Sequence, residues 1–157
     1  MIDDVRLDTF SCAPVPAKFE AGTPPIIEAI GLGAAVEYLS SIGMAEIRQH
    51  EMELTQYALD TLTERFGSDI VIHGPRNIEE RGAVLSFAFR DLHPHDVSQI
   101  LDEKNVCVRA GHHCAKPLMR IIEANATVRA SLYLYNDTND VDILADALTS
   151  ADDIFGL

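Results

Sequence analysis

The sequence GAVLSFAFR, residues 82–90, carries the clearest strand signal in the chain. Leu85, Phe87 and Phe89 alternate there with smaller or polar side chains. Successive side chains of a β-strand point to opposite faces of a sheet, so this alternation places the three large apolar groups on one face. The segment predicts a β-strand that packs its leucine and phenylalanine side chains against a core.

Helix-like and strand-like segments flank this strand on both sides. Apolar residues at helical spacing predict three amphipathic helices, whereas segment 25–43 is apolar on nearly every face and predicts a helix buried on several sides. The predicted helices span 25–43, 44–66, 94–105 and 140–155, and the predicted strands span 70–74, 82–90, 106–111 and 127–136. This order predicts an α+β fold, a two-layer sandwich with helices packed on a small, mainly antiparallel sheet.

The pattern divides the chain into an arm and a domain. Residues 1–24 contain Pro14, Pro16 and Pro24 with little periodicity, which predicts an extended arm or a hairpin. Residues 25–157 contain all the predicted helices and strands and are expected to form one small domain. A chain of 157 residues with 47% hydrophobic residues is long and apolar enough to bury a core.

Charge and cysteine usage argue against several classes of function. The 25 Asp and Glu residues outnumber the 12 Lys and Arg residues, for a net charge of −13. Nucleic acids and anionic membranes are bound by basic patches, so neither is an expected partner. Three cysteines without CxxC spacing argue against a structural zinc site or a disulfide framework and indicate a reducing cytoplasm. The sequence shows no secretory signal and no apolar run of membrane-spanning length.

The loop VRAGHHCAKPLM, residues 108–119, presents a candidate reactive cysteine. Cys114 follows two histidines, and Arg109 and Lys116 lie nearby in the sequence. Cationic neighbours favour the thiolate, which is the nucleophilic form of cysteine. The alternative is a surface cysteine that lies beside histidines without chemical use. A metal site built from the loop alone is not expected, because adjacent residues rarely bind one ion together.

The other two cysteines are expected to be chemically inert. Cys107 lies between Val106 and Val108 in a predicted strand, where a free cysteine commonly behaves as a small hydrophobic residue. The pattern therefore predicts that Cys107 is buried. Cys12 lies in the arm and has no neighbours that indicate chemistry.

Three further residues allow a plain and a functional interpretation. Arg129 lies in a predicted strand among small and apolar residues, so it needs either an internal carboxylate or the carboxylate of a substrate. Gly22 and Thr23 form a small-residue turn with backbone and hydroxyl donors. Such a turn suits a phosphate group, but it also suits any tight turn.

Four segments carry a family resemblance. They are KFEAGTPP at 18–25, AIGLGAAVEYLSSIG at 29–43, HPHDVSQILDEKNVCVRAGHHCAKPLM at 93–119 and VRASLYLYN at 128–136. Together they resemble the C-terminal part of a class II cysteine desulfurase of the SufS type, a fold-type I pyridoxal-phosphate enzyme of the class V aminotransferase superfamily. The resemblance runs essentially end to end and implies the small domain of such an enzyme.

The resemblance implies a role for each candidate residue. Cys114 matches the cysteine that takes sulfur from L-cysteine bound to pyridoxal phosphate, which leaves L-alanine and a persulfide for iron–sulfur cluster assembly. Arg129 matches the arginine that binds the substrate carboxylate, and Arg109 matches one that lines the active site. Gly22 and Thr23 match a turn that reaches the cofactor phosphate of the other subunit, which implies a homodimer.

His95, in HPHDV, carries a further implication of the resemblance. Family members that pass sulfur to the zinc-containing acceptor SufU resemble this sequence there, and their histidine takes over a zinc ligand. The plain alternative is a polar residue at the start of a helix. The acceptor implied is therefore of the SufU type, or else of the SufE type.

The resemblance also implies a large domain upstream of Met1. The family's pyridoxal-phosphate lysine, the aspartate facing the pyridine nitrogen and the histidine stacked on the ring all belong to that domain. We therefore expect the chain alone to be inactive, since nothing in it anchors the cofactor. The alternatives are a stand-alone sulfur carrier, which would use Cys114 without pyridoxal phosphate, and a docking or dimerisation module. The apolar segment 25–43 favours docking.

Overall fold

A computed structural model of the chain describes residues 1–151. They form two compact units, which divide between Gly43 and Met44. The first unit contains β1 (Ile2–Val5), β2 (Phe10–Cys12) and α1 (Ile26–Ile42). The second contains α2 (Met44–Phe66), β3 (Ile70–His73), β4 (Val84–Phe89), α3 (Pro94–Glu103), β5 (Arg109–Gly111), α4 (Lys116–Ile121), β6 (Thr127–Ser131) and α5 (Thr138–Thr149). The end of the last predicted helix, residues 152–155, lies outside the described residues.

The start of the chain forms a β-hairpin. β1 and β2 pair antiparallel, with Ile2 opposite Cys12. The turn is closed by the main-chain amide of Arg6, which donates to the carbonyl oxygen of Thr9 at 2.8 Å. Of the two predicted forms, an extended arm or a hairpin, the hairpin is observed.

α1 is apolar, but none of its residues is buried. Ile27 is 82% exposed and Ile30 is 69% exposed. The prediction of a helix buried on several sides is therefore wrong for the described structure, because the other elements of its unit are a short hairpin and one 3-10 turn. Among residues 1–151, no single helix is long and apolar enough to cross a membrane, although α1 and α2 as a pair meet those criteria by length and composition alone.

The second unit is built on a four-stranded antiparallel sheet in the order β3, β4, β6, β5. Val71 of β3 lies opposite Ala88, and Phe87 of β4 lies opposite Val128. β4 and β6 are therefore the central strands, and β5 forms one edge. β5, which precedes the Cys114 loop, therefore pairs with β6 and with no other strand of this sheet.

The core lies between one face of this sheet and the helices α2, α3 and α5. Leu85, Phe87 and Phe89 are at most 1% exposed, as their alternation predicted. Apolar residues on the inner faces of the three helices are also buried: Leu54, Ala58, Leu62, Val97, Ile100, Leu101, Val141, Leu144, Ala145 and Leu148. The predicted α+β sandwich, with helices on a small antiparallel sheet, is confirmed.

β5 is shorter than predicted and leaves Cys107 exposed. The strand begins at Arg109, and the residues before it belong to no strand. Val106 and Val108 are half-buried against the core. Cys107, between them, is exposed, because neighbouring side chains of an extended chain point in opposite directions. The prediction of a buried Cys107 is wrong for this reason.

α4 was not predicted from the sequence. It follows the Cys114 loop directly and carries Pro117 in its first turn, where proline costs no hydrogen bond. Met119, 4% exposed, packs the helix against the unit. Six residues make less than two helical turns, too few to show a period. The loop is therefore tethered between a strand and a helix.

Candidate active site

Two arginines lie directly opposite each other at the edge of the sheet. Arg109 of β5 pairs with Arg129 of β6, so both side chains lie on the same face. Among residues 1–151, neither arginine forms an ion pair with a carboxylate. Nε of Arg129 is buried without a hydrogen-bond partner. The internal carboxylate that Arg129 could have bound is not observed, and opposed like charges favour an anion from outside this part of the chain.

Cys114 lies beside this arginine pair. Nη2 of Arg109 is 3.7 Å from Sγ of Cys114, which is within hydrogen-bond distance for sulfur. The thiol is exposed and free. The structure thus brings together three of the predicted residues, Cys114, Arg109 and Arg129, as an accessible nucleophile next to two cations.

The backbone at the tip of the loop is left-handed at two successive residues. The φ angle is 54° at His113 and 58° at Cys114. For residues other than glycine, this conformation costs about 1–2 kcal/mol each. Strain of this kind persists only where surrounding contacts hold it, so the loop needs an anchor near its tip.

His113 makes a second contact between the loop and the sheet, besides that of Cys114 with Arg109. Its Nε2 lies 3.2 Å from the main-chain oxygen and 2.9 Å from Oγ1 of Thr127, a fully buried residue of β6. Its Nδ1 is buried and has no partner among the described residues. Burial lowers the pKa of His113, and the positive charge of Arg129 lowers it further. The sequence assigned this residue no role beyond that of a neighbour of Cys114.

A cavity of about 310 Å³ lies beside the loop. Its lining includes His73 and Arg81, together with apolar side chains of α4. Arg81 is only 7% exposed, and its guanidinium donates to the carbonyl oxygens of Pro75 at 2.7 Å and Val84 at 3.2 Å. These acceptors are main-chain groups brought together by a turn, so no sequence pattern marked Arg81. Burial lowers the pKa of this guanidinium as well.

Two half-buried histidines, His73 and His113, make the stability of the chain sensitive to acid. Burial lowers the pKa of His73, whose Nε2 has no described partner. A lowered pKa in the folded state means that the unfolded chain binds more protons, so stability is complete above about pH 6.5 and falls as the pH drops below it. We expect His73→Leu to reduce the loss of unfolding free energy between about pH 7 and about pH 5. Part of this loss should remain in the variant, because the pKa of His113 is also lowered in the folded state.

Chemical denaturation at several pH values checks this expectation. His112→Leu is the matched control, since His112 is exposed and its removal should leave the pH dependence as it was. An unchanged pH dependence in the His73 variant would show that this imidazole is free to ionise in the folded state.

Gly22 and Thr23 belong to the first unit and are exposed. Gly22 has a φ of 77°, which is the left-handed conformation that glycine adopts without strain. A Cβ at this position would meet no atom within 4 Å, so the backbone is open to close approach. An open turn with free main-chain and hydroxyl donors fits one end of an anionic group such as a phosphate.

His95 lies apart from this site, in the first turn of α3. Its ring stacks on that of His93 with 5.3 Å between centroids. His95 and the exposed Cys107 line one concave surface, which encloses a volume of about 340 Å³. Within the described part of the chain, no three His, Cys, Asp or Glu side chains are placed to hold a metal ion together. His95 is exposed at the surface of the second unit.

Known proteins of similar sequence are cysteine desulfurases. The chain is 50% identical over 156 residues to a probable cysteine desulfurase of Streptomyces coelicolor, covering 99% of this chain and 37% of that protein. It is 49% identical, with the same coverage, to a probable cysteine desulfurase of Halalkalibacterium halodurans. The chain therefore spans a little over a third of the length of these relatives.

Solved structures agree in fold. The apo cysteine desulfurase of Thermococcus onnurineus aligns with a TM-score of 0.80 and 40% identity over 99% of this chain and 38% of its own. The cysteine desulfurase CsdA of Escherichia coli, in an S-sulfonic acid form, aligns with a TM-score of 0.82 and 32% identity over 98% of this chain and 37% of its own. The family model for class-V aminotransferases matches residues 1–144. The chain belongs to the class-V aminotransferase family.

Proposed function

We propose that this chain is the sulfur-accepting part of a SufS-type cysteine desulfurase, with Cys114 as the nucleophile. The observation that carries the proposal is the 3.7 Å contact between Arg109 and the exposed thiol of Cys114, beside an arginine pair that lacks an anion. The substrate L-cysteine would supply a carboxylate for the arginine pair and an electrophilic sulfur for the Cys114 thiolate.

The proposed step balances within the substrate and the thiolate. The Cys114 thiolate forms an S–S bond with the sulfur of L-cysteine while the substrate C–S bond breaks. The electron pair of that bond stays with carbon, which takes up a proton and becomes the methyl group of L-alanine. Pyridoxal phosphate, when bound, supplies the electron sink for this cleavage. The product on the protein is a Cys114 persulfide, for transfer towards iron–sulfur cluster assembly in the cytoplasm.

The remaining residues bind and orient. The half-buried Arg129 receives the substrate carboxylate through its fork of donors. Arg109 donates to the sulfur of Cys114 at one edge of the same face. The open turn of Gly22 and Thr23 receives the cofactor phosphate of the other subunit in a homodimer.

We place the anchoring of the cofactor in a large domain beyond these 157 residues. Its proposed docking surface includes α1, whose Ile27 and Ile30 are mostly exposed, since a contiguous apolar surface of this kind marks an interaction site. We expect the chain alone to be inactive, because the large domain would supply the groups that hold the pyridoxal ring.

Reconstitution tests the proposal and its main rival. We expect L-alanine to form from L-cysteine when the chain, pyridoxal phosphate and a separately supplied large domain are mixed, and not when any one of them is omitted. A stand-alone sulfur carrier is the second candidate, favoured by the exposure of Cys114. Such a carrier would accept sulfur from a persulfide donor without the large domain and would give no alanine in the mixture.

His95 is proposed to serve the sulfur acceptor. An acceptor of the SufU type would offer a zinc ion, and an exposed imidazole can replace one of its ligands and free a thiolate for sulfur transfer. We expect His95→Ala to slow transfer to such an acceptor at least about tenfold while alanine formation is retained, since loss of one ligand removes about that much metal affinity.

Ser98→Ala is the matched control, because Ser98 lines the same concave surface without being a ligand type for zinc. Equal transfer rates for the His95 and Ser98 variants would remove the zinc role. Transfer that is unaffected by His95→Ala with a zinc-free acceptor of the SufE type is consistent with the role and confines it to zinc-bearing partners.

A further inference from the structure

The tip of the Cys114 loop has an unfavourable backbone conformation, and the side chain of His113 ties this tip to β6. His113 and Cys114 are consecutive residues with φ of 54° and 58°. The main-chain amide of Ala115 donates to the carbonyl oxygen of His112 at 2.8 Å and closes this turn. That bond lies within the turn and does not fix it against the sheet, so the turn would be free to relax away from β6 and redirect the Cys114 side chain. The contact of His113 with Thr127 opposes this relaxation.

The partners of His113 determine its tautomer. The main-chain oxygen of Thr127, 3.2 Å from Nε2, can only accept a hydrogen bond, so Nε2 carries the proton. The hydroxyl oxygen, 2.9 Å away, is a second acceptor for the same N–H. The partnerless Nδ1 is then an unprotonated nitrogen, which costs less to bury than an unpaired N–H.

The acceptor of this hydrogen bond lies on a buried position of a central strand. Thr127 is fully buried in the central strand β6, opposite Gly111 of β5. It precedes Arg129 by two residues in the same strand, so both side chains lie on one face. The bond from His113 therefore ties the loop to the strand that also carries the substrate-binding arginine.

We propose that His113 is a positioning residue whose Nε2 hydrogen bond to Thr127 ties the turn that carries Cys114 to β6 and so keeps its sulfur beside Arg109. The inference rests on the proposed function for its purpose, because a fixed sulfur serves a substrate fixed by the arginine pair. The geometry itself does not depend on turnover, so it can be tested on the 157-residue chain.

The test compares two alkylating reagents in a chain with Cys12→Ser and Cys107→Ser, which leaves one thiol. Iodoacetate is anionic and iodoacetamide is neutral, and both react with the same thiolate. The ratio of their rates reports positive charge near the sulfur, whereas thiol exposure and thiolate fraction affect both rates alike. We expect His113→Asn, which lacks a donor at the Nε2 position, to lower this ratio about threefold.

Three further variants decide the cause. His113→Gln places an amide N–H near the Nε2 position and should keep the original ratio. His112→Asn is the exposed neighbour and should also keep it. Arg109→Gln should lower the ratio by itself, and adding His113→Asn to Arg109→Gln should lower it no further, since the charge that the histidine positions is already gone.

Two outcomes would overturn the inference. One is an unchanged ratio in His113→Asn, and the other is an equal fall in folded Asn and Gln variants. Amide NMR signals of β6 establish that each variant is folded, and ring nitrogen shifts of His113 should show a protonated Nε2 and a bare Nδ1. If desulfuration fails but the ratios behave as expected, the proposed function is lost and the positioning role stands.

Discussion

Replacement of Cys114 by serine is expected to reduce sulfur transfer in the reconstituted enzyme by about a thousandfold or more. The serine hydroxyl remains protonated near neutral pH, and an S–S bond to the substrate cannot form without a sulfur at this position. Removal of a nucleophile leaves only binding and cofactor chemistry, which explains the size of the loss. The measurement is the rate of sulfide and L-alanine formation from L-cysteine with the large domain present.

Cys107→Ser is the control that the structure provides for this experiment. Cys107 is exposed like Cys114, so a non-specific thiol effect would appear in both variants. Among residues 1–151, it forms no hydrogen bond to an arginine like the one between Arg109 and Cys114. We expect Cys107→Ser to retain the full rate. A large loss in Cys107→Ser together with retained transfer in Cys114→Ser would show that Cys107, and not Cys114, accepts the sulfur.

Replacement of Arg129 by lysine is expected to lower kcat/KM for L-cysteine about a hundredfold, mainly through KM. Lysine keeps the charge but replaces a planar fork of donors by a single point charge, and bidentate recognition of a carboxylate is lost. The shorter reach also leaves a buried space where Nε of Arg129 now lies. A hundredfold change corresponds to about 2.7 kcal/mol of transition-state stabilisation.

Steady-state kinetics of the reconstituted enzyme measure this effect, with Arg120→Lys as the control because Arg120 is exposed on α4. Alkylation of Cys114 by iodoacetamide should be little changed in the Arg129 variant, since Arg109 still contacts the sulfur. A KM that stays the same would mean that Arg129 binds no substrate carboxylate and has a structural function instead.

Local patterns in the sequence were sufficient for most of the fold. The alternation around Phe87 and the helical spacing around Leu62 each report which face is buried, because burial of one face is what the period encodes. α4 was not predicted because a helix shorter than two turns shows no hydrophobic period in the sequence. The apolar pattern of α1 predicts that its surface is buried, but the pattern does not identify the polypeptide that buries it.

The candidate site was predictable in its residues but not in its geometry. The cluster around Cys114 is local in the sequence, so its chemistry could be read there. The opposition of Arg109 and Arg129 follows from the register of β5 and β6, which only the folded sheet defines. The same register brings Thr127 to His113, and a histidine that bonds to a distant main-chain oxygen leaves no sequence signal. The prediction of a buried Cys107 was wrong because adjacent side chains in an extended segment point to opposite faces. A shift of one residue therefore changes a buried position into an exposed one.

The central claim is that Cys114 receives sulfur from L-cysteine only in combination with a large, cofactor-anchoring domain. Its most direct test is intact-mass measurement and peptide mapping of the chain after incubation with pyridoxal phosphate and L-cysteine, with and without that domain. The account predicts one additional sulfur atom, on the peptide that contains Cys114, only when the large domain is present. An additional sulfur atom on Cys114 without the domain, or on Cys107 with it, would contradict the account.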